Sequence, residues 1–156
     1  MPMPRHPPAT GPAPTFEPRM GMLIAEHVRA FLEESRFAVM ATINRSGTPQ
    51  LTVMWYALLA DEDVVVLNAT RGLLKERNLR RDARMSLCIE AGMRYVTLDG
   101  RAELVEDRGQ QEREVNNLIA PRYIGQRLGS QRWAVIKDSD RVGIRMRVER
   151  VQARGI

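Results

Sequence analysis

The chain of 156 residues has one cysteine, Cys88, and two histidines, His6 and His27. A lone cysteine excludes a disulfide framework, and its place in an apolar strand pattern marks it as a buried structural thiol. Neither histidine stands at a metal-ligand spacing from Cys88, so zinc and haem sites lack the residues to build them. Lysine is scarce too: of 24 basic residues only Lys75 and Lys137 are lysines. The three Phe, three Tyr and two Trp are not interleaved with basic residues as base stacking requires, which argues against a nucleic-acid-binding barrel. No apolar run approaches ~18 residues, and the N-terminal stretch lacks the apolar core of a signal peptide, so the protein is expected in the cytoplasm with no membrane span.

What is present is positive charge, +5 at neutral pH, spread along the chain. That balance favours anionic partners such as a phosphate cofactor, a polyanionic cofactor tail or an acidic metabolite, without the clustered stripe of a nucleic-acid binder. Seven of the nine prolines fall in residues 1–18 among few large apolar side chains, the composition of a disordered tail. Residues 19–156 are then expected to form one domain, large enough to bury a real core.

The most informative stretch is Asn68-Ala69-Thr70-Arg71-Gly72-Leu73-Leu74-Lys75 followed by Glu76-Arg77-Asn78-Leu79-Arg80-Arg81-Asp82. It sets cations and backbone N–H groups where a strand hands over to a helix, the arrangement that holds a phosphate. Thr70 is expected to cap the helix, Gly72 to admit a close backbone approach, and Arg71 and Lys75 to supply charge. Arg80 and Arg81 sit in the last helical turn, where cations meet the negative dipole end.

Around this stretch the apolar spacing predicts an amphipathic helix over 20–34 from Met20, Leu23, Ile24, Val28, Phe31 and Leu32. Strands are predicted over 37–43 and 49–59, joined through Asn44-Arg45-Ser46-Gly47, with a second turn at Asp61-Glu62-Asp63 leading into 64–68. A further strand pair spans 83–90 and 94–105, with Asp99-Gly100 marking a bulge or close backbone approach. Residues 108–120 read as a helix ended by Pro121. Trp133 to Ile136 forms a short apolar element, and 141–153 alternates as a strand with Val142, Ile144, Met146 and Val148 on one face. Antiparallel strands with a few helices and no repeating βαβ order give a mainly-β barrel class.

In this order the motifs from Val39 to Asn44, from Gly47 to Tyr56, Thr70-Arg71-Gly72 with Lys75, and Arg77 to Asp82 resemble the pyridoxamine-phosphate-oxidase-like superfamily. Within it they are similar to the flavin/deazaflavin oxidoreductases, the F420-dependent branch, over about residues 20–156. The resemblance implies a split β-barrel working as a homodimer, with the cofactor across the subunit interface. It implies that Thr52, Val53, Met54 and Trp55 lie along the cofactor's flat ring system, that Asn68, Ala69 and Thr70 flank its sugar-alcohol chain, and that Arg71 and Lys75 hold its phosphate. Tyr123 and Trp133 would reach over from the partner subunit to line the substrate pocket. Many relatives carry Pro where Met54 and Ala83 stand and Arg where Leu73 stands, and loss of that cation weakens a polyanion grip.

No Ser-His-Asp set, Cys-His pair or helix-borne metal motif exists, and no G-x-G-x-x-G or P-loop string occurs. Hard chemistry would therefore come from a cofactor, with the protein supplying binding and orientation. The expected function is an oxidoreductase using coenzyme F420 on a small organic substrate, with flavin mononucleotide (FMN) as the alternative cofactor. A non-catalytic carrier of a cofactor or anionic ligand is the rival of another class. Tyr56 and Tyr123 are the candidate proton donors, and no catalytic residue is assigned.

Overall fold

Period-two alternation builds the molecule's frame. In the last strand the side chains of Val142, Ile144, Met146 and Val148 are buried while those of Arg147 and Glu149 face solvent, as a half-buried antiparallel strand requires. The computed structural model describes residues 22–156. The expected Pro-rich tail and Met20 lie outside them.

Seven strands form one antiparallel sheet: β1 (Ala38–Ile43), β2 (Pro49–Met54), β3 (Ala57–Leu58), β4 (Val64–Thr70), β5 (Arg84–Ala91), β6 (Arg94–Val105) and β7 (Arg141–Arg154), in the order β2-β1-β5-β6-β7-β4-β3. The helices are α1 (Glu26–Glu33), α2 (Leu74–Arg81), α3 (Arg108–Glu114), α4 (Pro121–Gly129) and α5 (Arg132–Ile136), with a π-helical turn at Val115–Ile119. The fold is mainly β, a curled split β-barrel.

The curl follows from two residues. The sequence predicts one strand over 49–59, but the structure breaks it at Trp55 and Tyr56, so that β2 pairs with β1 and β3 pairs with β4. Consecutive strands thus stand at opposite edges of the sheet, and the three backbone steps from Met54 to Ala57 span no more than about 11 Å. Only a sheet rolled on itself brings its edges that close. Tyr56 plugs the seam: its side chain is fully buried and its hydroxyl donates to the Leu32 carbonyl at 2.7 Å. Val28, Phe31 and Leu32 of α1 close the open side of the barrel over a core that includes Met40, Leu67, Leu87, Leu98, Ile144 and Met146.

The expected bulge is observed, with the β6–β7 register shifting between Asp99 and Gly100. A Cβ on Gly100 would lie 2.0 Å from the Arg147 carbonyl oxygen, so the residue marks a close approach of two backbones. Two expectations are corrected. The first helix begins only at Glu26, because the Asp63 carboxylate takes the Leu23 and Ile24 N–H groups at 2.5 and 3.0 Å. Pro121 starts α4 instead of ending a helix, since the first helical turn does not need its missing N–H. The element at Trp133 is the helix α5. Together α3 to α5 form a helical insertion between β6 and β7 that packs beside the Trp55 seam.

Candidate functional site

The seam and the insertion enclose a cavity of about 260 Å³. Its barrel wall is Val53, Met54, Trp55 and Asn68, and its helical wall includes Val115, Ile119, Arg132 and Ile136, with Arg141 at the start of β7. Trp55 is fixed from the same chain. Its ring stacks on Tyr123 at 4.8 Å between centroids and 7° between planes, and Tyr123 stacks in turn on Phe37 at 5.7 Å. The Tyr123 hydroxyl donates to the Arg36 carbonyl at 2.7 Å and accepts the Tyr56 N–H at 3.1 Å, which pins α4 to the barrel.

Charge at this cavity is unbalanced. Arg141 donates from Nε to Asn68 Oδ1 at 2.8 Å and from Nη1 to Thr70 Oγ1 at 2.9 Å. Burial holds its guanidinium below the usual range, and the charge of Arg132 lowers it further. Lys75 is lowered first by burial and then by the charge of Arg141. The Arg132 guanidinium lies over the Trp55 ring at 5.8 Å. Among the described residues none of these three cations has a carboxylate within ion-pair distance. Partly buried cations that repel one another and lack an acid are stabilised by an anion, and a phosphate supplies both charge and acceptor oxygens.

A polar chain supports the arrangement. Asn68 Nδ2 donates to Gln111 Oε1 at 3.0 Å, and the buried Gln111 donates weakly to the carbonyls of Glu106 and Arg141. With one acceptor and two donors on each amide, these contacts turn Asn68 Oδ1 toward Arg141.

Residues 24–155 match the sequence model of the family described as Pyridoxamine 5'-phosphate oxidase. The chain belongs to the pyridoxamine 5'-phosphate oxidase family. The conserved hypothetical protein Rv2991 from Mycobacterium tuberculosis is 31% identical over 88% of this chain and 89% of its own, with a TM-score of 0.72. A protein named F420 reductase superposes with a TM-score of 0.61 at 23% identity, covering 87% of this chain and 98% of the other. General Stress Protein 26 from Bacillus anthracis reaches a TM-score of 0.61 at 14% identity, covering 82% of this chain and 91% of the other. At these lower identities the likeness is one of fold.

Within this family member the structure sorts the expected site residues. Val53, Met54, Trp55 and Asn68 line the cavity. Thr52 is half-buried beside them and accepts from Gln50 at 2.6 Å. Ala69 turns inward to the core. Thr70 does not cap α2; it is the last residue of β4 and receives Arg141, while the cap position falls on Leu73 without a side-chain bond. The loop backbone is partly spoken for: the Arg71 N–H donates to the Asp140 carbonyl at 2.8 Å and the Gly72 N–H to Glu76 Oε2 at 3.0 Å. The Arg71 guanidinium pairs with Glu106 and Asp140, which raises it above its ordinary value, so Lys75 is the unpaired cation of the loop.

Arg80 pairs with Glu76 and Glu106, and Arg81 bonds Asn78 and the Ile43 carbonyl. Trp133 is buried against Val115 and Ala120 of its own chain. Tyr123 likewise meets Trp55 of its own chain. Neither candidate tyrosine has a free proton: Tyr56 donates to Leu32 and burial pushes it up to about 12, and Tyr123 donates to Arg36. Sequence reasoning missed Arg132, Arg141 and Gln111. The only signal for Arg141 was its place as the first residue of an alternating strand.

Among the described residues no three His, Cys, Asp or Glu side chains gather as metal ligands, and no helix is long and apolar enough to cross a membrane.

Proposed function

We propose that the protein is an oxidoreductase that uses coenzyme F420 to reduce a small organic substrate in the cytoplasm. The observation that carries this reading is the set of three unpaired cations, Lys75, Arg132 and Arg141, beside an apolar and aromatic slot that contains no acid–base pair. The residues present fit a phosphate-bearing flat cofactor: Lys75, Arg132 and Arg141 would hold its anionic end, and Val53, Met54 and Trp55 its ring, with Thr52, Asn68 and Thr70 close by. A bound deazaflavin or flavin supplies hydride chemistry that none of these side chains can perform. The chain's own part is to bind and orient. Trp55, held rigid by Tyr123, presents a fixed apolar wall, and the helical insertion excludes water from it.

A second copy of the chain completes the site in this reading. Leu51 and Val53 are 63% and 62% exposed on β2, beside Phe37 at 59% and Val39 at 37%. Val39 and Val53 are register partners, so these side chains form one continuous apolar face running to the cavity mouth. A homodimer that covers this face would close the cavity from outside.

FMN is the alternative cofactor, and the same cations suit its phosphate. The deciding experiment titrates ligand-free protein with coenzyme F420 and with FMN by fluorescence, alongside Lys75→Ala. Micromolar binding of F420 alone, weakened at least tenfold in the variant, supports the reading. Preference for FMN moves the protein to the flavin branch. Binding of neither overturns the cofactor assignment and favours a carrier of another anion.

A further inference from the structure

We propose that the cleft between the β1–β2 hairpin and α2 binds a small organic polyanion, a molecule with two or more carboxylate or phosphate groups. The cleft measures about 530 Å³, within the ~300–1,000 Å³ usual for small-ligand sites. Arg45, Arg77 and Arg81 line it, with no acidic residue on its wall.

Some arginines of the chain do have a carboxylate partner, Arg29 with Asp63, Arg84 with Asp82, Arg101 with Glu149, Arg145 with Glu114 and Arg150 with Asp99, whereas the cleft gathers three that have none. Arg45, Arg77 and Arg81 make no ion pair among the described residues. Arg45 and Arg77 have no side-chain hydrogen bond there either, so both are free to turn onto a ligand. Three guanidinium groups around one concavity repel one another, and a multiply charged anion converts that repulsion into attraction while offering paired acceptors to each planar fork.

Local structure makes the cleft rigid. Leu74, Arg77, Asn78 and Arg81 are spaced i, i+3, i+4, i+7 and form one stripe of α2. The turn at Gly47, whose φ of 86° suits glycine, swings Arg45 across to face that stripe. Asn78, 1% exposed, forms the floor: it donates to Thr42 Oγ1 at 3.1 Å and Asn44 Oδ1 at 3.0 Å, and accepts from Arg81 at 3.2 Å. This network ties helix to hairpin, so little ordering cost remains for binding.

The cleft shares no lining residue with the first cavity, although Lys75 stands on α2 next to Leu74 of the cleft wall. It lies at the hairpin end of β2, whereas Val53 and Met54 line the other cavity at the strand's far end, about 17 Å away by strand rise. The proposal does not depend on the identity of any cofactor at the first site.

The test is calorimetric titration of the full chain with citrate and with inorganic pyrophosphate at low ionic strength. Saturable binding is expected, weakened at least tenfold in the double variant Arg45→Ser/Arg77→Ser and unchanged in Arg127→Ser, an exposed arginine that lines neither cavity. Both arginines of the double variant are exposed and unpaired, and an unchanged melting curve certifies the fold. Absence of saturable binding overturns the proposal. So does binding that survives the double variant and disappears in Arg141→Gln. Adding coenzyme F420 separates the two sources of such an anion, an arm that alone rests on the reading above. Displacement of citrate identifies the tail of a long cofactor seated at the first site, whereas simultaneous binding identifies a free polyanionic metabolite; both keep the cleft as the polyanion site.

Discussion

Arg141 Nε donates to Asn68 Oδ1 at 2.8 Å across the neighbouring strands β7 and β4, and this contact ties the cationic cavity to the barrel. The pair stands near the ends of its strands, where Thr70 faces Arg141 and Asn68 faces Gly143. The guanidinium therefore points past the sheet toward the helical insertion instead of into the core.

Replacing that cation separates binding from stability. Arg141→Gln loses two hydrogen bonds, each worth about 1 kcal/mol, but relieves repulsion with Lys75 and Arg132. The melting temperature is expected to change by only a few degrees while affinity for a phosphate-bearing cofactor falls at least tenfold. Thermal unfolding and fluorescence titration on one preparation check both parts. A large loss of stability with affinity intact would contradict the role assigned to Arg141.

Acid exposes the contribution of Glu106. Arg71 and then Arg80 hold its carboxyl down at about 2, from an ordinary value of 4.5. A depressed carboxyl stabilises the fold above its unfolded value, and that contribution disappears as pH falls through the folded one. Glu106→Gln lacks it at every pH. The melting-temperature gap between wild type and variant is thus expected to be full above pH 5 and to shrink steadily toward pH 2. A gap independent of pH would show that the ion pairs contribute nothing, as exposed pairs sometimes do.

Gly100→Ala tests the bulge. Its Cβ would sit 2.0 Å from the Arg147 carbonyl oxygen and 3.0 Å from the carbonyl carbon, both backbone atoms that cannot rotate away. Overpacking of this kind costs about 3 kcal/mol when two central strands must separate. Chemical denaturation is expected to show that loss at Gly100, whereas Gly109→Ala, where the nearest atoms are side-chain tips at 3.4 Å, leaves stability almost unchanged.

Legibility in the sequence followed the range of the interaction. The strand cores, the Gly47 hairpin, the bulge at Gly100 and the short helix after Gly72 were all readable, because alternation, helical spacing and glycine chemistry act between residues a few positions apart. Trp55 and Tyr56 read as the middle of a strand, because nothing in their own segment shows that β2 and β3 join different edges. Arg71 and Lys75 read as equals, because the carboxylates of Glu106 and Asp140 that claim Arg71 come from other parts of the chain.

By itself, then, the sequence determined the mainly-β class, the scarcity of cysteine and histidine, and the cationic loop around Lys75, all properties of composition and short-range spacing. The tertiary structure alone decided where charge remains uncompensated. Rolling the sheet brings Arg141 beside Asn68, the insertion sets Arg132 over Trp55, and Glu76 and Glu106 neutralise their neighbours. A cation's readiness to bind an anion depends on which carboxylates the fold brings within a few ångströms, since Coulomb attraction and desolvation act through space and not along the chain.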